Sequence, residues 1–125
     1  MFKFKKEVET DSNEYKQHMY SLCEYKCQRY STQMNNRLLI GKGKCKYFIG
    51  VADNGDIIGF KTIIDLLLSL SNILKLIKNL NVHCQNIKII YFENTETYIL
   101  IVDVVSYNQV HTSPNFITFT ESDDE

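Results

Sequence analysis

Glu9, Asp11 and Glu14 cluster near the start of the chain, and Asp53 and Asp56 flank Asn54-Gly55 further along. Hard divalent cations take several carboxylate oxygens, and a metal held in this way activates water and offsets charge building on a phosphodiester under attack. The same residues also suit a solvated acidic run and an Asx turn, so spacing alone leaves both readings open. Other chemistries fit less well. Gly41-Lys42-Gly43-Lys44 lacks the spacing of a triphosphate-binding loop. Cys23 and Cys27 stand one helical turn apart but have no second Cys/His pair at finger spacing, and burial in a core suits them better. His18, His83 and His111 have no nucleophile near them in sequence.

The elements that must position these carboxylates follow from periodicity. With 125 residues, 44% hydrophobic and 23% charged, the chain fills one core and no more. Ser21 and Glu24 have capping-box spacing, and Cys23, Cys27, Tyr30, Met34 and Leu38 form one apolar stripe, which predicts a helix over 21–39. Residues 44–52 alternate, Asp53-Asn54-Gly55-Asp56 supplies a turn, and 57–60 returns, which predicts an antiparallel hairpin. Thr62 with Asp65 opens a second helix over 62–80. Its residues Leu66, Leu68, Leu70, Ile73, Leu76 and Leu80 cover more circumference than one sheet face can hide, so docking or self-association through it is expected. Strands follow over 87–92 and 97–105, and Phe116, Thr118 and Phe119 suggest an edge strand after a break at Pro114. The expected fold is α/β (α+β), in the order β-α-β-β-α-β-β: a mixed sheet with a central hairpin and two packed helices. The domain spans 1–110, and 111–125 forms a C-terminal segment with an acidic tail.

Charge is unevenly spread. Residues 1–50 hold ten Lys or Arg against five Asp or Glu, and 51–125 hold four against ten, a weak sign of a polyanion-facing half. The apolar stretch 57–80 is broken by Lys61, Asp65, Lys75 and Lys78, so no membrane span is expected, and the start of the chain has no apolar signal core. An intracellular protein with free thiols is therefore expected, cytoplasmic first and nuclear second.

Glu9-Thr10-Asp11-Ser12-Asn13-Glu14-Tyr15-Lys16 reads Glu-x4-Glu-Tyr-Lys, and Tyr47-Phe48-Ile49-Gly50-Val51-Ala52-Asp53 follows after the helix, with Gly59 beyond the turn. This pattern resembles the AlbA-like domain of the Schlafen family over residues 7–105. The resemblance implies a metal-dependent endoribonuclease, or an RNA-binding subunit of one acting in RNA processing. Glu9, Glu14 and Asp53 would then be the catalytic trio holding Mg2+ or Mn2+, and Lys16 would hold the scissile phosphate. Arg29, Arg37, Lys42, Lys44 and Lys46 would form one basic surface tracking the RNA backbone, and Tyr25 or Tyr30 could stack on a base. Partners would be RNA and other Schlafen-like or RNA-processing subunits, or a second copy of this chain.

A second resemblance uses overlapping residues. Glu14-Tyr15-Lys16, Thr32-Gln33-Met34, Arg37-Leu38, Gly41-x-Gly43 and Tyr47-x-Ile49-Gly50-Val51-x-Asp53-Asn54-Gly55 are similar to the domain preceding the GTPase module in the elongation-factor-like GTP-binding proteins. It implies a non-catalytic nucleic-acid- or protein-binding adaptor. The chain also departs from the Schlafen nuclease pattern, with one lobe in place of two and Ala52 at the usual first aspartate. The metal trio further demands that Glu9 and Glu14, five apart, converge, which needs a bend between them, and Asp11-Ser12-Asn13 has the composition for one.

Overall fold

Apolar stripes at helical spacing and two β-rich runs produce two helices on a five-stranded mixed sheet, in a computed structural model that describes residues 2–106 and 114–121. Helix α1 (Glu24–Ile40) buries Met34, Arg37 and Leu38 and starts two residues later than the Ser21 cap predicts, with Cys23 as N-cap. Glu24 thereby becomes the acidic residue of the first turn, where the helix dipole favours it. Helix α2 (Ile63–Asn79) begins as expected, the Thr62 hydroxyl accepting from the Asp65 amide at 3.2 Å.

The strands are β1 (Asn13–Lys16), β2 (Lys44–Ile49), β3 (His83–Phe92), β4 (Thr97–Val105) and β5 (Pro114–Phe119), arranged β1-β2-β4-β3-β5. β2, β4 and β3 pair antiparallel, while the edge strands β1 and β5 run parallel to β2 and β3. The apolar run in β4 is explained by its central place, with seven of its nine residues buried. Pro114 is the first residue of β5, where a missing amide is tolerated, and the strand carries the sheet past residue 110. His111 and the acidic Asp123, Asp124 and Glu125 lie outside the described residues.

The expected central hairpin is replaced by something smaller. β2 ends at Ile49, Gly50 takes φ +101°, and its carbonyl accepts from both Ile58 and Gly59. Residues 57–60 therefore touch the sheet through single bridges, Val51 to Ile57 and Phe60 to Tyr98, and the partner of β2 is β4. The left-handed backbone at Gly50 carries the chain out of the strand before a ladder can form.

The sheet buries both faces. Cys45, Tyr47 and Ile49 of β2 point at the helices and join Met34, Leu66, Ile73, Leu76 and Val102 in the main core. The opposite face holds a smaller aromatic core of Tyr15, Phe92, Ile99 and Ile101, covered by Phe2 and Phe4 of the extended N-terminal segment. That segment is anchored where the Phe4 amide donates to the Gly55 carbonyl at 3.0 Å and the Glu7 amide to the Asp53 carbonyl at 2.7 Å. Gly55 has φ +95°, and a side chain there would collide with the Phe4 carbonyl.

Candidate functional site

Successive side chains of a strand alternate faces, so Glu14 and Lys16 of β1 look toward α1 while Asn13 and Tyr15 look away. On α1, Tyr30, Gln33 and Arg37 follow at helical spacing and meet them. The Arg37 Nε donates to Glu14 Oε1 at 2.9 Å, and both residues are buried, at 5% and 7% exposure. Its Nη1 donates to the carbonyls of Val8 and Asp11, each at 2.7 Å, and ion pairs reach Glu7 Oε2 at 3.4 Å and Asp11 Oδ1 at 3.5 Å. Five oxygens from four residues thus surround one guanidinium. Lys16 Nζ, 3.4 Å from Glu14 Oε2, donates to Gln33 Oε1 at 2.6 Å and lies 4.6 Å above the Tyr30 ring.

The predicted bend before β1 exists: the Asn13 amide donates to Asp11 Oδ1 at 2.8 Å and the Asp11 amide to the Val8 carbonyl. Its outcome differs from the expected trio. The bend directs Glu14 toward the helix and sets Glu7, rather than Glu9, beside it; Glu7 Oε2 accepts from the Tyr15 amide at 2.6 Å. Glu9 is exposed, and Asp53 is exposed at the turn. Among the described residues, no group of three or more His, Cys, Asp and Glu side chains is placed to hold a metal ion. Burial pushes the Glu7 carboxyl above its ordinary range, and the charges of Glu14 and Asp53 add to this while the Tyr15 amide and Arg37 oppose it. Burial likewise raises the Cys45 thiol to about 12.

Glu7 escapes a sequence reading because it belongs to no motif, and Gln33, though part of the Thr32-Gln33-Met34 segment, has no role that its spacing would assign. One signal did point to a buried acid: Arg37 sits three residues from Met34 on the apolar stripe, and a buried guanidinium needs an internal counter-ion.

The five basic residues do not form one surface. Arg37 is inside, and Arg29 is exposed on the helix layer. Lys42 is exposed in the turn after α1 with φ +55°, and Lys44 and Lys46 project from β2 on the face away from the helices. There a cleft of about 250 Å³ is lined by Lys44, Lys46, Ser12, Asn13, Gln85 and Asp103, with Lys46 Nζ 3.7 Å from Asp103 Oδ1. Tyr30 packs against the core beneath Lys16, whereas Tyr25 is 69% exposed. No helix among the described residues is long and apolar enough to cross a membrane.

No family model, curated protein or solved structure matches this chain.

Proposed function

We propose that this domain is a non-catalytic binding module that holds RNA as a cytoplasmic subunit of an RNA-processing assembly. The observation that supports it best is the occupancy of the acidic cluster by Arg37. Glu14, the central member of the expected metal trio, is buried, bonded to the guanidinium and backed by Lys16. A cation built into the chain has the place that a catalytic metal would need, and removing a carboxylate from such a pair leaves an uncompensated charge. The cluster therefore works as a clasp that fastens the N-terminal segment and β1 to α1. Three lysines stand at the outer cleft, Lys42 in the turn before it and Lys44 and Lys46 lining it beside Asp103, and phosphate contacts of this kind bind without sequence preference.

Salt-dependent binding to a single-stranded RNA tests the reading. The triple change Lys42→Ala, Lys44→Ala and Lys46→Ala should weaken binding and lower the slope of log affinity against log salt by roughly two to three, about one for each lost phosphate contact. An unchanged slope would place the RNA elsewhere or remove it.

A second reading retains the Schlafen-like endoribonuclease, with Mg2+ or Mn2+ on Glu9, Glu14 and Asp53. One observation favours it: the Glu7 amide donates to the Asp53 carbonyl at 2.7 Å, and Glu7 and Glu14 both reach Arg37, so the N-terminal carboxylates and the turn that bears Asp53 are neighbours. Binding of a metal would require Arg37 to withdraw.

A further inference from the structure

Helix α2 turns one face to the core and leaves another uncovered. Leu66, Ile73 and Leu76 are fully buried, but Ile64 is 73% exposed, Leu67 and Leu68 are each 47% exposed, and Leu74 is 37% exposed. At 100° per residue these four side chains bracket Ser71, which is exposed at the centre of the outward face together with Lys75 and Lys78. The charges are ordered along the axis, with Asp65 in the first turn and Lys78 in the last. None of Asp65, Lys75 and Lys78 has an ion-pair partner among the described residues.

We infer that this face pairs with α2 of a second copy of the chain, antiparallel, about a two-fold axis passing near Ser71. The face is complementary to itself in that orientation. With Ser71 opposite Ser71, position i lies level with position 142 − i and each flank stays on its own side, so Leu67 meets the partner's Leu74, and Ile64 lies beneath the stem of the partner's Lys78. Leu68 is covered by the stem of the partner's Lys75, whose ammonium then reaches toward Asp65 on the same flank. Both ends of the pair form the same contacts, acidic first turn against basic last turn, and the helix dipoles run in opposition. A parallel pair would set Lys75 and Lys78 against their own copies, which is repulsive. The small serine at the crossing lets the helices approach closely, and the covered surface is apolar at its middle and charged at its rim, as interfaces are. The pairing does not depend on the RNA-binding role and uses no residue of the Arg37 clasp or the basic cleft.

Sedimentation equilibrium of the purified chain at graded concentration tests this directly. Twice the chain mass should be reached over the micromolar range, and Leu68→Lys, at a half-exposed position, should return the monomer with unchanged thermal unfolding of the diluted protein. Asp65→Lys alone should weaken association roughly tenfold or more, and joining it to Lys75→Glu and Lys78→Glu should restore it, because the exchanged charges again face each other. In a Cys23→Ser background, Ser71→Cys should give a disulfide-linked dimer on mild oxidation. A monomer at every concentration overturns self-pairing and leaves the face to a foreign chain. A dimer that survives Leu68→Lys, or that yields no cross-link through position 71, overturns this geometry.

Discussion

Arg37 Nε lies 2.9 Å from Glu14 Oε1 in a setting where both residues are almost fully buried, and that pair joins the first helix to the edge of the sheet. Around it the guanidinium also closes the loop from Glu7 to Asp11. Arg37→Ala leaves buried Glu14 with Lys16 alone and strips Glu7 and the Val8 and Asp11 carbonyls of their cation, and should destabilise the fold by about 3–5 kcal/mol, read as a lowered chemical-denaturation midpoint. Because the oxygens that surround Arg37 would then be without their cation, millimolar Mg2+ or Mn2+ should raise the melting temperature of Arg37→Ala more than that of the natural chain. Equal responses would mean that the oxygens do not form a cation-sized cradle.

The Glu7 carboxyl is raised above its ordinary 4.5 by burial, so the folded protein binds this proton more tightly than the unfolded chain does. Its contribution to stability is complete below pH 4.5 and is lost as pH rises through the higher folded value. Compared across about pH 4 to 7, the stability of the natural chain relative to Glu7→Gln should therefore fall with rising pH. A difference that stayed flat, or rose, would show that Arg37 outweighs burial at this site.

Gly55→Ala tests the clasp from the other side of the turn. Its positive φ and the Phe4 carbonyl against it leave no room for a side chain, so the variant should lose more than about 1 kcal/mol and should loosen the segment bearing Phe2 and Phe4. Faster hydrogen exchange at the Phe4 and Glu7 amides is the expected signature. Protection equal to that of the natural chain would show that the segment does not depend on this turn.

The four thiols should separate in reactivity. The exposed Cys23 is lowered, chiefly by its hydrogen bond with the Lys26 backbone, and Cys45 is buried with its thiol raised to about 12. Alkylation at mildly alkaline pH followed by peptide mass mapping should label Cys23 first and Cys45 last. Early labelling of Cys45 would mean that the sheet opens beneath α1.

Much of the fold is legible in the sequence because each element has its own local cause. The stripe from Cys27 to Leu38, the Thr62 cap and the near-continuous apolar run of β4 fix two helices and the central strand. Residues 57–60 mislead because an Asn-Gly turn between apolar runs ordinarily closes a hairpin, whereas here Gly50 has already bent the chain out of the sheet. The site is read less well, for a similar reason. Glu14, Arg37 and Asp53 are visible as charged residues, but whether they meet depends on the parallel docking of β1 beside β2 and on how the N-terminal segment crosses the sheet. Both are long-range pairings that no local spacing encodes, so Glu9 is the conspicuous partner for Glu14 in the sequence and Glu7 the neighbouring one in space.

The central claim is that the Arg37-filled acidic cluster is structural and the domain binds RNA without cutting it. The most direct measurement is the fate of an end-labelled RNA held by the purified protein in Mn2+, with Glu9→Gln and Asp53→Asn as companions, since both positions are exposed and neither change disturbs the core. The account predicts bound, intact RNA for all three proteins, released alike by salt. Cleavage by the natural chain that disappears in Glu9→Gln or Asp53→Asn, with binding retained, would contradict it and identify the carboxylates as a metal-dependent nuclease centre.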